Sequence, residues 1–224
     1  IFARIFYFNV PTLSAPDDFD ARPVRASSRP LPFAHRREEA RFAMRSTSSK
    51  SYPRFEDLLS ENGTRALLVL HHDVIVYERY FGAVTAETRL PSFSMSKTFA
   101  AALVGCAERD GLIASPDQRL VDLVPSFADK RGYGAITLEH LLRMTSGIDF
   151  EEESAAGAMF YYSTDLRARA RAYDLKWQPG RHYEYGSINA QLLWEVLHQR
   201  LGGRGHALAR HAAGDAVLVE LEGP

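Results

Sequence analysis

The chain has 224 residues, of which 46% are hydrophobic and 25% are charged. These values exclude a wholly disordered, a collagen-like or a disulfide-stapled chain, and the length is sufficient to bury a sizeable core. The net charge is −1 at pH 7, so no global field favours nucleic acid or an anionic membrane. No apolar run reaches the roughly 18 residues of a membrane-spanning helix, so the sequence predicts no transmembrane segment.

The N-terminal residues 1–55 are predicted to form an extended basic arm. Six prolines lie between positions 11 and 53, and nine Lys or Arg stand against two Glu between positions 21 and 54. Since no RNA-binding signature accompanies this charge, a solvated segment is favoured over a nucleic-acid or membrane patch. The apolar stretch 1–10 is either the remnant of a signal or anchor, or a strand that docks on the core.

A β-hairpin is predicted next. Residues 65–70 and 74–81 are rich in residues that favour strands, and His71–Asp73 between them is the expected turn. The adjacent His71 and His72 suggest a metal site. Two neighbouring histidines at a turn, without a spaced third ligand nearby, are more typical of surface polar residues.

Helices are predicted to dominate the rest of the chain. Apolar periodicity and capping residues place them at residues 94–110, 138–144 and 187–201. Thr137 is the expected N-cap of the second helix. The single cysteine, Cys106, lies within the first helix and is interpreted as a small core residue. One cysteine forms no internal disulfide, so bacterial cytoplasm and periplasm both stay open as compartments.

One tetrapeptide, Ser94-Met-Ser-Lys97, has the spacing of a nucleophile and its base. Residues i and i+3 share a helix face, so the Lys97 amine can reach the Ser94 hydroxyl. The helix N-terminus and burial both disfavour an ammonium, so a neutral Lys97 is expected to take the serine proton. The N–H of Ser94 is a natural oxyanion donor. By itself, the tetrapeptide is equally compatible with an N-cap serine and a surface lysine.

Several stretches, in the same order, resemble the serine β-lactamase-like hydrolases. That superfamily includes penicillin-binding proteins, class C β-lactamases, esterases and 6-aminohexanoate-dimer hydrolases. The match covers roughly residues 60–203. The stretches of this sequence that carry the resemblance are the strand at 74–81, the Ser94–Lys97 motif with its helix, Asp110–Ile113 with Asp122–Pro125, Ile136–Ile148, and Trp177–Tyr185.

The resemblance implies an α/β fold of the β-lactamase/transpeptidase type, with an antiparallel sheet and a helical subdomain. It also implies a serine hydrolase that cleaves an amide or ester bond through an acyl-enzyme. Tyr185-Gly-Ser187 resembles the second family motif, which is Tyr-x-Asn or, in some branches, Tyr-x-Ser. The serine at the third position fits the amidase and esterase branches better than the class C β-lactamases. This resemblance implies that Tyr185 shuttles a proton and that Ser187 donates to Lys97 or binds substrate. Tyr183 is a second candidate for the tyrosine of this motif. Tyr183-Glu-Tyr185 lacks a polar residue such as Asn or Ser at its third position, so Tyr185 is preferred.

The third family motif, Lys/His-Thr/Ser-Gly on a late strand, is absent from the sequence. Residues 204–224 do not resemble the continuation of the family either. We therefore expect a partial domain at 56–203 with an incomplete sheet, followed by an atypical tail at 204–224, through a frameshift or truncation near Gly202. The alternative function is a truncated, inactive family remnant or a binding module that lacks the completing strands.

The expected partner is a small-molecule amide or ester, and no nucleic acid. No metal, nucleotide or flavin motif appears, so no cofactor is expected. Substrate identity and oligomeric state stay open. Amide dimers, short esters, D-amino peptides and β-lactams are all compatible with the motifs.

Overall fold

The computed structural model describes residues 32–36 and 52–202. The chain divides into two compact units, with the boundary between Leu90 and Pro91. Most of the predicted arm of residues 1–55, including its apolar stretch, and the predicted tail of residues 204–224 lie outside the described residues.

The unit before residue 91 contains the predicted hairpin. Strand β2 (Ala66–His71) pairs antiparallel with β3 (Val74–Tyr80), and the two-residue strand β1 (Ala34–His35) runs parallel to β3 on its other edge. The strand order is therefore β1-β3-β2. His72 and Asp73 have φ values of 50° and 58°, as a two-residue turn between twisted antiparallel strands requires. The predicted hairpin is confirmed.

This unit buries few apolar side chains. Among its described residues, Val76 and Tyr77 of β3 are the buried ones, whereas Leu68 and Leu70 of β2 are 47% and 41% exposed. Helix α1 (Phe55–Glu61) is not among the elements predicted from the sequence. It carries Glu56, whose carboxylate accepts a 2.9 Å hydrogen bond from the Tyr77 hydroxyl. His71 and His72 are both exposed at the turn, as predicted.

The unit after residue 90 is helical and holds the core. Helix α7 (Ser187–Arg200) lies at its centre and packs against α2 (Ser96–Arg109), α3 (Leu120–Leu123) and α4 (Leu138–Leu142). Two further helices, α5 (Ala155–Tyr161) and α6 (Leu166–Ala170), belong to the described part of the unit, and α6 also packs on α7. Because α7 has neighbours on several sides, nine of its fourteen residues are buried.

The three helices predicted here are confirmed, with boundaries that shift by a few residues. Helix α2 follows a 3₁₀ turn and ends before Gly111, which has a φ of 72°. Thr137 caps α4 through a reciprocal pair: its Oγ1 accepts from the His140 N–H at 3.3 Å, and His140 Nδ1 accepts from the Thr137 N–H at 3.1 Å. Helix α4 ends two residues earlier than predicted, and Met144 then turns to a φ of 56°.

Cys106 packs against the apolar core from a partly buried position on α2, which confirms its interpretation as a core residue. The sequence reasoning missed α5 and α6. Both are short, and both begin at a side-chain cap: Ser154 accepts from the Gly157 N–H, and Asp165 accepts from the Ala168 N–H. None of the helices within residues 52–202 is both long and apolar enough to cross a membrane.

Candidate active site

The Ser94–Lys97 pair lies at the start of α2. Ser94 is the middle residue of the 3₁₀ turn Phe93–Met95, and it is exposed. Lys97 is in the first turn of the α-helix, and its Nζ donates a 2.9 Å hydrogen bond to Ser94 Oγ. The Lys97 side chain is only 15% exposed, so the amine is largely withdrawn from water while the serine faces it. A contact of this length is suitable for direct proton transfer between the two groups.

The residue before the candidate nucleophile has a strained backbone. Phe93 has a φ of 46°, in the left-handed region that costs a non-glycine residue about 1–3 kcal/mol. Its carbonyl accepts a 2.8 Å hydrogen bond from Ser96 Oγ, which helps to hold the turn. Strain of this kind persists where the surrounding structure over-determines it, and it is common at functional sites.

The segment 144–147 supports the loop that carries Tyr185. The Glu184 N–H donates to the Met144 carbonyl at 3.0 Å, and the Gly180 N–H donates to the Thr145 carbonyl at 2.8 Å. The carbonyl of Gly147 accepts from the Lys176 N–H at 2.8 Å. The run Met-Thr-Ser-Gly at 144–147 therefore holds the loop through backbone hydrogen bonds.

Two glycines allow these backbones to approach each other. Gly147 has a φ of 77°, and a Cβ on it would lie 2.2 Å from the Trp177 carbonyl oxygen. Gly180 has a φ of 80°, and a Cβ there would lie 2.9 Å from His140 Nε2. Since a side chain would clash at either position, both glycines are required for the loop to dock.

Tyr185 lies beside Lys97. Lys97 Nζ is 5.0 Å from the centroid of the Tyr185 ring, within the range of a cation–π contact. The Tyr185 side chain is 40% exposed, and Tyr183 is 64% exposed. Of the two candidate tyrosines, Tyr183 and Tyr185, the structure therefore places the ring of Tyr185 beside the lysine.

Ser187 begins α7 and is 7% exposed. Its Oγ donates to Glu152 Oε1 at 2.6 Å, and its N–H donates to Glu152 Oε2 at 2.7 Å. The sequence reasoning expected this hydroxyl to donate to Lys97 or to substrate. In the structure it is connected to the lysine through a carboxylate, because Glu152 Oε1 also lies 4.0 Å from Lys97 Nζ.

Glu152 and Tyr161 are site residues that the sequence reasoning missed. The Tyr161 hydroxyl, at the end of α5, donates to Ser187 Oγ at 2.6 Å and also contacts the Glu152 carboxylate. Burial, with the hydrogen bond to Glu152, raises the pKa of Tyr161 above that of a free phenol, so it stays protonated and acts as a donor. The only sequence signal was the acidic run at 151–153, which is usually a solvated surface.

These contacts bring together two hydroxyls, an amine, a carboxylate and two phenols. An exposed hydroxyl hydrogen-bonded to a shielded amine has the composition of an acyl-transfer site. Among residues 32–36 and 52–202, no group of three or more His, Cys, Asp or Glu side chains is arranged to hold a metal ion.

A protein-family model described as beta-lactamase matches residues 55–212. The chain belongs to the β-lactamase family. The match includes every site residue described above, and it confirms the resemblance seen in the sequence. Among curated proteins, none matches the chain significantly.

Solved structures show the same fold. A Bacillus anthracis protein assigned as a 6-aminohexanoate-dimer hydrolase superposes with a TM-score of 0.65 at 16% identity, over 85% of this chain and 54% of that one. A Bacteroides dorei protein assigned as a β-lactamase superposes with a TM-score of 0.52 at 22% identity, over 66% of this chain and 44% of that one. The chain thus spans about half the length of the solved structures it matches. The predicted α/β, β-lactamase-like fold class is confirmed.

Proposed function

We propose that the chain carries the nucleophile of a serine hydrolase that cleaves an amide or ester bond through an acyl-enzyme. Ser94 is the nucleophile, Lys97 its base and Tyr185 the group that relays the proton. The observation that carries the proposal is the 2.9 Å contact between Lys97 Nζ and Ser94 Oγ at an exposed, strained turn. Membership of the β-lactamase family supports it.

In the acylation step, Ser94 Oγ bonds to the substrate carbonyl carbon while its proton passes to the neutral Lys97 amine. The tetrahedral oxyanion accepts a hydrogen bond from the N–H of Ser94. Collapse breaks the bond to the leaving nitrogen or oxygen, which takes the proton relayed from Lys97 through Tyr185. Water then adds to the acyl carbon and gives up a proton along the same route. The Ser94 ester bond breaks, and Ser94 regains its hydrogen.

Two phenols lie close to the lysine, and their surroundings favour Tyr185 for proton transfer. The pKa of Tyr161 is raised by burial and by Glu152, which makes its phenolate difficult to form. Tyr185 is 40% exposed, and the centroid of its ring lies 5.0 Å from Lys97 Nζ. A phenol that must donate and accept in turn functions better in the second environment than in the first.

The proposed substrate is an acyl compound whose carbonyl group reaches the exposed Ser94 hydroxyl, and Ser187 is proposed to contribute to its binding. The panel to test contains a nitrophenyl ester, a D-amino peptide, a chromogenic β-lactam and the linear 6-aminohexanoate dimer. The last of these is the substrate for which the Bacillus anthracis neighbour is named.

Labelling of the active serine tests the proposal. Incubation of the purified chain with a fluorophosphonate should place an adduct on the peptide that contains Ser94, detected by mass spectrometry. Ser94→Ala should abolish both the adduct and ester turnover, and Lys97→Ala should slow both by about 10²–10⁴ because the general base is removed. Ser92→Ala, at the neighbouring exposed serine, should react at the wild-type rate and is the matched control.

Equal ester turnover by the wild type and Ser94→Ala would refute the proposal. A chain that melts cooperatively, binds a member of the panel and leaves Ser94 unlabelled would support the alternative of an inactive binding module. The melting transition is measured first, so that an unfolded sample is not taken for an inactive one.

A further inference from the structure

The carboxylate of Glu152 joins the two halves of the candidate site. On one side it accepts both hydrogen bonds of Ser187, at 2.6 and 2.7 Å, at the N-terminus of α7. On the other side its Oε1 lies 4.0 Å from Lys97 Nζ, on α2. The proposed mechanism gives this acid no role, yet it contacts both motifs of the site.

We infer that Glu152 is a positioning residue, whose negative charge holds the Lys97 amine at Ser94 while its two oxygens hold Ser187 at the start of α7. The kinetic part of this inference rests on the proposed function. The coupling between Glu152 and Lys97 does not, because it follows from their contact alone.

Burial makes the coupling effective. The Glu152 and Lys97 side chains are 22% and 15% exposed, so water screens their interaction less than it would at an open surface. Lys97 Nζ donates to Ser94 Oγ at 2.9 Å, and it lies 4.0 Å from Glu152 Oε1 and 5.0 Å from the centroid of the Tyr185 ring.

The carboxylate is itself held in place. Tyr161 stays protonated and contacts Glu152 Oε1 from the end of α5, and Ser187 donates to both of its oxygens. The two hydrogen bonds from Ser187 hold both carboxylate oxygens, so the charge of Glu152 acts on Lys97 from a constant direction. Glu152 therefore has the properties expected of a group that orients a base.

A simpler role is that Glu152 only caps the N-terminus of α7, where it accepts the free N–H of Ser187. The two roles make different predictions. A cap stabilises α7 and leaves a lysine on α2 unaffected. A positioning charge also changes the environment of Lys97.

The first experiment measures the reactivity of Lys97 without any need for turnover. An amine-acylating reagent at limiting concentration is applied to the wild type and to Glu152→Gln, which keeps one acceptor oxygen but loses the charge. Modification is quantified by peptide mass spectrometry relative to Lys176, whose side chain is 46% exposed. Lys97 should react about three- to tenfold faster in Glu152→Gln, because the amine is no longer held by the carboxylate.

The controls are Glu151→Gln and Glu153→Gln, which remove exposed charges on either side of Glu152. Both should leave the Lys97 to Lys176 ratio at its wild-type value. An unchanged ratio in Glu152→Gln, with an unchanged melting temperature, would overturn the inference in favour of the simple cap. A change of equal size in all three variants would overturn it as well.

The second experiment measures turnover of the nitrophenyl ester. Glu152→Gln should lower kcat by about 10- to 100-fold with KM within about twofold, since misplacing a base costs rate and not binding. Glu152→Asp keeps the charge on a shorter stem and should recover part of this loss. A Glu152→Gln enzyme with wild-type kcat, or a Glu152→Asp enzyme slower than Glu152→Gln, would contradict a role for the charge.

The two proposals fail in different ways. If the wild type shows no turnover that depends on Ser94, the proposed function fails, and the Lys97 reactivity ratio alone decides the role of Glu152. If turnover is present and Glu152→Gln changes neither the Lys97 to Lys176 modification ratio nor kcat, only the inference about Glu152 fails.

Discussion

The helical unit after residue 90 buries its apolar side chains among themselves, whereas the strand unit before it leaves most of its described apolar side chains exposed or only partly buried. Leu103, Leu120 and Leu141 are at most 2% exposed, while Leu68 and Leu70 are exposed by 47% and 41%. The Ser94, Lys97 and Tyr185 side chains all belong to the helical unit. The part of the chain with the better core thus holds the candidate site, in line with the precise placement that such a site would need.

The largest difference is expected between two leucines. Leu141→Ala should lower the free energy of unfolding by about 3–5 kcal/mol, because it leaves a cavity in a fully buried position. Leu68→Ala, on the exposed side of β2, should cost less than about 1 kcal/mol. Urea unfolding of both variants measures the contrast, and equal losses would show that the strand unit depends on a core as much as the helical unit does.

A glycine in the site support is expected to have the next largest effect. Gly147→Ala should cost about 2–4 kcal/mol, because the new Cβ would meet the Trp177 carbonyl and the backbone is left-handed. It should also displace the loop of Tyr185 and slow Ser94 labelling. Gly105→Ala, at an open helical position of α2, should instead stabilise the protein by about 0.5–1 kcal/mol. Tolerance of Gly147→Ala would contradict the docking geometry.

A smaller loss is expected at the cap of α4. Thr137→Ala removes the acceptor for the His140 N–H and should cost about 1 kcal/mol. Thr98→Ala, on the exposed side of α2, has no capping role and should be neutral or slightly stabilising. Thermal melting of both variants separates the cap from the loss of a threonine as such.

The smallest effect is expected on stability at low pH, from the ion pair between Asp129 and Arg171. The hydrogen bond from Arg171 lowers the pKa of Asp129 below the ordinary 3.8. Since its pKa is lower in the folded chain, the associated stability is present above about pH 4 and is lost as pH falls through the folded pKa. Asp129 is exposed, so this contribution is slight. Asp129→Asn should reduce the decline of the urea midpoint below pH 4, and an unchanged decline would exclude the pair as a contributor.

The sequence was sufficient to predict what depends on near neighbours. The hairpin follows from alternating strand residues around a short turn, and α2 follows from its apolar stripe and Gly111. The contact between Ser94 and Lys97 follows from i,i+3 spacing at the start of a helix. The short helices α5 and α6 were missed because one or two turns are too brief to show a period.

The contacts of Glu152 could not be predicted from local sequence pattern. It is 35 residues from Ser187 and 55 from Lys97 along the chain, and no spacing rule connects them. An acidic run at 151–153 is ordinarily a solvated surface, and Glu151 and Glu153 are indeed exposed. Only its tertiary contacts with Ser187 and Lys97 distinguish Glu152 from its two neighbours.

By itself, the sequence determined the family, the order of the main elements and the serine–lysine pair, because each of these is written in local pattern. Tertiary structure decided which tyrosine lies beside the lysine and which acid lies between the two motifs. It also decided that the Ser187 hydroxyl donates to Glu152. Those contacts join segments far apart in the chain, and they exist only because α7 is buried among its neighbours and the 144–147 backbone holds the loop before it.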